Sequence, residues 1–423
     1  MAKLTKREKK KLNGIAKKHW KPLLVIAIIL IILVAVAYYM GWIDLLINKF
    51  KKPVEPETEQ TGGNVQSSTP VLSTAGGYST NVTTLNDLEI TFIDVGQGDC
   101  ILIELPDNKK MIIDSGVDTD SKNAIEETLT SKNITTFDYV LLTHQDADHA
   151  ANMDWILENY TCKFIFRPNN NSTHTSASSL PADFNTGFED PDRNPTKTYA
   201  DFMNKAYAEL QSGECATVEI FNKDSDFAND VIYNGTTYTY SFNFLTPTAS
   251  RNEIQYDDYN DYSPIMLLEW QGKKVLFTGD AEKENIEEYV ETYGSQYNVD
   301  ILKMGHHGSR TSTTPALLSA IDPEYAVIQC GIGNSYEHPH PEPLQYLKNH
   351  DTNMKLYRND IHGDIILTID SLGNIEFTQE TINVEHTWVD GNTLAGLPQY
   401  QELNFNLFNI WSAFVDTSKK VVA

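Results

Sequence analysis

The segment His144-Gln145-Asp146-Ala147-Asp148-His149 places four metal-ligating side chains within six residues, directly after the apolar run Tyr139-Val140-Leu141-Leu142. A strand that ends in a tight loop turns His144, Asp146, Asp148 and His149 toward one point, and imidazole nitrogen with carboxylate oxygen suits zinc, manganese or iron. Alone, such a segment also reads as a solvated acidic loop with incidental histidines; its company downstream decides against that. Val275-Leu276-Phe277 runs into Thr278-Gly279-Asp280, which delivers a carboxylate at a strand end just before a helix pattern. That placement suits a bridge between two ions about 3.5–4 Å apart. Leu302-Lys303-Met304-Gly305-His306-His307-Gly308-Ser309 and Glu337-His338-Pro339-His340 add histidines, and His306, His307 and His338 each follow a strand pattern. Asp94-Val95-Gly96-Gln97-Gly98-Asp99 supplies glycines for a tight turn after a strand. Asp94 and Asp114 both stand at strand ends, where a carboxylate either orients a ligating imidazole or caps a turn.

The elements that must position these residues follow from periodicity. Glu89–Asp94, Cys100–Leu105 and Met111–Asp114 read as hairpin-linked strands, Asn123–Lys132 as a helix, Tyr139–Leu142 as a strand and Ala150–Asn159 as a helix. After a polar insert between about Pro168 and Lys197, strands recur at Tyr238–Leu245, Ile265–Trp270 and Lys274–Thr278. Glu282–Tyr293 reads as a helix, and Asp300–Met304, Ala326–Gln329 and Ile365–Ile369 as strands. Helices alternating with strands, with hairpins among them, predict mixed sheets covered by helices, an α/β (α+β) fold.

Composition sets the surroundings. Residues 1–22 are strongly basic, and Leu23 to Ile43 runs 21 residues without a charge, long enough to cross a bilayer as a helix. The basic flank predicts a cytoplasmic N-terminus and an extracytoplasmic remainder. The rival is a secreted chain cut near Ala35-Val36-Ala37, but the apolar run exceeds the ~7–15 residues of a signal core, so an uncleaved anchor is the reading. The expected organisation is therefore a basic cytoplasmic segment 1–22, a transmembrane anchor 23–45, a disordered Pro-, Thr-, Ser- and Gly-rich linker 46–86, a catalytic domain 87–378 and an appendage 379–423. The appendage holds too many aromatics for a disordered end; it packs back on the domain, forms a small unit of its own or contacts a partner. Residues 1–52 hold 12 of the 33 Lys and Arg but two of the 58 Asp and Glu, so the rest carries a net charge near −35. That field repels a long polyanion unless a local basic groove overrides it. Cys100, Cys162, Cys215 and Cys330 lack C-x-x-C spacing, which argues against a thiolate metal site, and Cys100 and Cys330 read as small buried thiols.

The ordered set D-V-G-Q-G-D, H-x-D-x-D-H, T-G-D, L-K-x-x-H-H-G-S and H-P-H closely resembles the metallo-β-lactamase superfamily, and within it the hydrolase domain of ComEC-type competence proteins, over roughly residues 88–375. The resemblance implies a four-layer αβ/βα sandwich with two divalent ions, zinc or manganese, at one edge of its two sheets. It implies His144 and Asp146 as ligands of one ion, Asp148 and His149 of the other, Asp280 as the bridge and His338 as the last histidine ligand. His306 and His307 then resemble catalytic or charge-stabilising groups, Asp148 also orients the nucleophile, and Asp94, Asp114 and Ser309 support the ligands. Two departures stand out. Asp146 replaces a usual histidine, and Phe244-Leu245-Thr246-Pro247 occupies the place of the histidine that precedes the bridging Asp, leaving water or an insert residue such as His174 to complete that ion. The implied activity is metal-assisted hydrolysis of an anionic phosphodiester or ester, with DNA or another nucleic acid by analogy. The alternatives are a cell-envelope esterase of the teichoic-acid or phosphorylcholine type and a non-catalytic, metal-stabilised surface module.

Overall fold

The computed structural model describes residues 78–188, 196–223, 225–248, 256–379 and 386–397. The expected cytoplasmic segment, anchor and most of the linker lie outside the described residues, among which no helix is long and apolar enough to cross a membrane.

Two eight-stranded sheets face each other. Numbered along the chain, the first runs β16 (Ile375–Gln379), β15 (Ile365–Ile369), β2 (Leu88–Phe92), β3 (Ile101–Glu104), β4 (Lys110–Ile113), β5 (Thr136–Leu141), β6 (Thr161–Arg167) and β7 (Thr217–Ile220). The second runs β1 (Tyr78–Asn81), β8 (Phe227–Tyr233), β9 (Thr236–Thr246), β10 (Ile265–Trp270), β11 (Lys273–Phe277), β12 (Ile301–Lys303), β13 (Tyr325–Ile328) and β14 (Lys355–Arg358). Each sheet has a run of parallel strands at one side, β4 to β7 in the first and β11 to β14 in the second, and antiparallel pairing over the rest apart from the edge pair β1–β8.

Period-2 alternation divides each strand between two cores. Leu88, Ile90, Phe92, Met111, Ile113 and Leu141 of the first sheet meet Phe242, Phe244, Met266, Leu268 and Val275 of the second. The opposite faces are covered by helices. Ile112 and Val140 pack on Ile125, Met153, Ile156, Phe202 and Met203 from helices Thr119–Ser131, Met153–Asn159 and Lys197–Ser212. Leu267 and Leu276 pack on Ile286, Tyr289, Leu317 and Leu347 from helices Lys283–Tyr293, Pro315–Ile321 and Pro341–His350. The result is the expected four-layer αβ/βα sandwich. Phe242 is fully buried between the sheets and stacks on Phe227 at 4.9 Å. Phe242→Ala is expected to cost about 3–5 kcal/mol, read as a lowered midpoint in equilibrium chemical denaturation.

The structure corrects the sequence reading in several places. Tyr78–Asn81, inside the expected linker, is β1 and pairs in parallel with β8. The sixteen-residue helix Lys197–Ser212 and the strands β6, β7, β8, β14 and β16 escaped the periodicity analysis. From the appendage, Thr387–Val389 and the short helix Gly391–Ala395 pack back on the domain: the buried guanidinium of Arg358 donates to the carbonyls of Thr387 and Val389, and Leu394 is fully buried. All four cysteines are buried and unpaired.

Candidate metal centre

Parallel strands end together, and loops leaving their carboxyl ends converge on one edge. The loops after β4 and β5 bring Asp114, His144 and His149; those after β11 and β12 bring Asp280, His306 and His307; the loop after β13 carries His338. The turns are tight enough that Asp114, His306 and His307 take positive φ (58°, 47° and 55°), a strained conformation for residues with a Cβ. Gly98 shows why the turn after β2 needs glycine: φ is +133°, and a Cβ there would overlap the carbonyl oxygen of Asp148.

Around Asp280 four imidazoles point inward. Its Oδ2 lies 3.2 Å from His149 Nε2, 3.3 Å from His307 Nε2, 3.7 Å from His306 Nε2 and 3.9 Å from His144 Nε2. Each ring is tied from behind through Nδ1. His149 Nδ1 donates to Asp114 Oδ2 at 2.7 Å, His307 Nδ1 to the carbonyl of Gln329 at 3.0 Å, and His306 Nδ1 to Glu282 Oε1 at 2.7 Å. His144 Nδ1 faces the hydroxyls of Thr143 at 3.1 Å and Ser263 at 3.3 Å. A carbonyl or carboxylate accepts only, so in His149, His306 and His307 the outer nitrogen carries a proton, which leaves the inner one to present a lone pair once a metal ion displaces any proton there, the arrangement that orients metal-ligating histidines.

Among the described residues, ligating atoms gather within 4.8 Å as His144, His149 and Asp280; as Asp148, His149 and His307; and as Asp99, Asp280 and His307. These donors fit divalent cations. His149 Nε2 and His307 Nε2 stand 3.3 Å apart, and His144 Nε2 and Asp280 Oδ1 are buried without a hydrogen-bond partner. Buried lone pairs facing one another in this way are costly unless a cation sits among them.

The electrostatics agree. Burial opposes charge on His149 and His307, but the carboxylates outweigh it, chiefly Asp280 with Asp114 for the first and with Asp148 and Asp99 for the second, and hold both rings well above the usual histidine range. Burial, reinforced by the His149 charge, drives His144 down to about 3. Burial also opposes charge on His306, but Asp280 and the Glu282 hydrogen bond raise it. One buried carboxylate hub thus attracts whatever positive charge is at hand.

The expected residues sort as follows. His307, read as catalytic, lies among the ligand atoms, while His306 stands at their edge. Asp146 Oδ2 lies 3.9 Å from His144 Nε2, and its side chain is one-third exposed. Asp148 Oδ2 is 3.4 Å from His307 Nε2. His338, read as a ligand, lies one ring further out, 5.3 Å from the His306 ring and 6.0 Å from that of His307. Its Nδ1 is buried without a partner, and burial, with His307 beside it, takes its pKa down to about 3. Asp114 orients His149 as expected, but Asp94 caps its own turn, accepting from Gly96 N, and belongs to none of the ligand groups. The Ser309 side chain bonds Thr311, whose hydroxyl donates to Glu282, and the Ser309 N–H donates to the carbonyl of His306. His174 bonds Ser176 instead, and Thr246 is buried with its hydroxyl accepting from Ile265 N, so neither replaces the missing histidine. Missed from the sequence were Glu282 and the fully buried Lys303, whose ammonium donates to Asp99 Oδ2 at 2.7 Å and so fixes the carboxylate that faces His307. The L-K-x-x-H-H-G-S motif carried the signal for Lys303, and two residues after Asp280 was the place to look for Glu282.

The two-sheet sandwich with its site at one edge accords with a sequence match: residues 93–170 and 251–332 match the model of the Metallo-beta-lactamase superfamily. The chain's curated relatives are competence proteins of ComEC type at modest identity. It is 26% identical to ComE operon protein 3 of Bacillus subtilis over 294 residues, 66% of this chain and 32% of that one. It is 25% identical to Competence protein ComA of Neisseria gonorrhoeae over 295 residues, 69% of this chain and 34% of that one. Recombination protein 2 of Haemophilus influenzae is 39% identical over 88 residues, 21% of this chain and 11% of that one. The chain spans about a third of the length of the first two relatives.

Proposed function

We propose that the chain is a metal-dependent hydrolase of phosphodiesters, with nucleic acid as the polymer, held at the outer face of a membrane by its apolar N-terminal run. The observation that carries the hydrolase reading is the convergence of four Nδ1-tied imidazoles on Asp280. The nucleic-acid reading is supported by relatives named for competence and recombination.

His144, His149, His307, Asp148 and Asp280 would hold two ions, Asp280 shared between them and Asp146 on the His144 side; the mixed nitrogen and oxygen set suits zinc or manganese. Bound there, the metals supply a water of lowered pKa and charge neutralisation for the phosphoryl oxygens. The protein does the rest. Asp114 and the Gln329 carbonyl fix ring orientation, and Asp280 with the Glu282 hydrogen bond at Nδ1 favours the doubly protonated His306 ring, whose Nε2–H is the proton placed to pass to the leaving oxygen. His338 lies just beyond the ligand atoms, beside the His306 and His307 rings.

The test is hydrolysis of bis-p-nitrophenyl phosphate and of phosphorylcholine esters by the full purified chain, with zinc and manganese compared. Turnover of the diester supports the reading; turnover of the choline ester alone gives the envelope-esterase reading, and none at full metal occupancy gives the non-catalytic one. Metal should also stabilise the fold, by about 2.7 kcal/mol at a hundredfold excess over Kd, read as a raised melting temperature that chelation reverses.

A further inference from the structure

The loop after β13 carries two of the four large hydrophobic side chains exposed among the described residues, Ile332 and Tyr336. Tyr336 is 60% exposed, yet its ring is not idle: one face stacks on His338, with centroids 5.7 Å apart and planes 22° off parallel. From His338 the rings continue to His340 at 4.8 Å and to His306 at 5.3 Å. Three alternate residues, 336, 338 and 340, thus form an aromatic wall that leads from solvent to the edge of the metal centre. The loop is held for the purpose: Asn334 accepts from the backbone N–H groups of Tyr336 and His338 and donates to the carbonyls of Gly331 and His338.

We propose that the outer face of Tyr336 is a stacking platform for a nucleobase adjoining the phosphodiester that enters the metal centre. The proposal rests on the phosphodiester reading above and adds where the base goes. A planar ring with one face braced and the other free is what base stacking needs, and it is tolerant of sequence because every base has a π-face. The charge of the chain points the same way. A domain this acidic gains little from phosphate steering, so its hold on a nucleic acid must come from the metals and from stacking.

The probe is a 2-aminopurine dinucleotide with a non-hydrolysable phosphonate linkage, added to the metal-loaded full chain, so that binding is read by fluorescence quenching without turnover. The wild type and Tyr336→Phe should quench and bind alike, and Tyr336→Ala should bind roughly tenfold more weakly with the quenching lost. With hydrolysable substrates, the KM preference for a base-bearing dinucleotide over its abasic analogue should fall toward one in Tyr336→Ala. Quenching that survives in Tyr336→Ala, or an unchanged preference, overturns the proposal. Absence of quenching in a wild type that hydrolyses diesters overturns the platform and spares the hydrolase; quenching without hydrolysis does the reverse.

Discussion

Asp280→Asn is expected to remove metal and turnover together. In that variant the residue that four Nε2 atoms face loses its charge, and with it the attraction that offsets the burial of His149 and His307. Metal content should fall from near two ions per chain to one or none, and kcat/KM for bis-p-nitrophenyl phosphate by a factor of roughly 10³ or more, about 4 kcal/mol of lost stabilisation. Asp146→Asn is the comparison. Its carboxylate lies 3.9 Å from His144, belongs to none of the groups of close ligand atoms and is one-third exposed, so a loss of roughly tenfold, recoverable at higher metal concentration, is the expectation. Metal analysis beside steady-state kinetics distinguishes the two. Equal losses in both variants, or full metal content in Asp280→Asn, would refute the reading of Asp280 as the shared ligand.

The difference between these carboxylates was only partly legible in the sequence. Asp280, His144, His149, His306 and His307 each follow an apolar run, so strand ends and ligands were found together, and the sheets that carry them came with them. The rest depends on contacts that no local pattern encodes. β8 reads Phe-Ala-Asn-Asp-Val-Ile-Tyr, and its alternation is broken by Asn229, which is buried because its amide donates to Asp107 from another sheet. The Tyr78–Asn81 strand has no apolar alternation and exists because β8 offers it an edge. The Lys197–Ser212 helix follows a Pro- and Asp-rich stretch, and its stripe of Tyr199, Phe202, Met203 and Ala206 was lost in the polar insert. At the site, the roles of His306 and His307 could not be divided from sequence. Both lie in one turn, and only the partners behind the rings, Glu282 for one and the Gln329 carbonyl for the other, show which points among the ligands and which stands at their edge.

Gly391→Ala is expected to damage catalysis from a position that touches no ligand. Gly391 N donates to the carbonyl of Pro339 at 2.9 Å, and a Cβ at this position would overlap the carbonyl oxygen of His338. That oxygen cannot swing away, because it accepts from Asn334 Nδ2 at 2.7 Å while Asn334 Oδ1 accepts from His338 N at 3.0 Å. Nor can the other side retreat freely, since Arg358 holds Thr387 and Val389. The added methyl must therefore push the 331–340 loop, and His338 with it, or break the packing of the 386–397 segment. The ligands themselves sit at the ends of β5, β11 and β12, which this segment does not brace, so near-full metal content should persist. A misplacement of about 1 Å costs up to ~10²-fold in rate, and overpacking costs about 1–3 kcal/mol of stability. The expected result is a kcat lowered by roughly one to two orders of magnitude at near-normal metal content, with a modestly lowered melting temperature. Gly396→Ala is the control in the same short segment, because the nearest atom to its added Cβ is the Thr393 carbonyl oxygen at 3.4 Å, an ordinary contact. If Gly391→Ala turns over as fast as Gly396→Ala, the C-terminal segment is a bystander to the metal centre; if it loses metal as well, the segment supports the ligand loops more broadly than the hydrogen bonds around His338 imply.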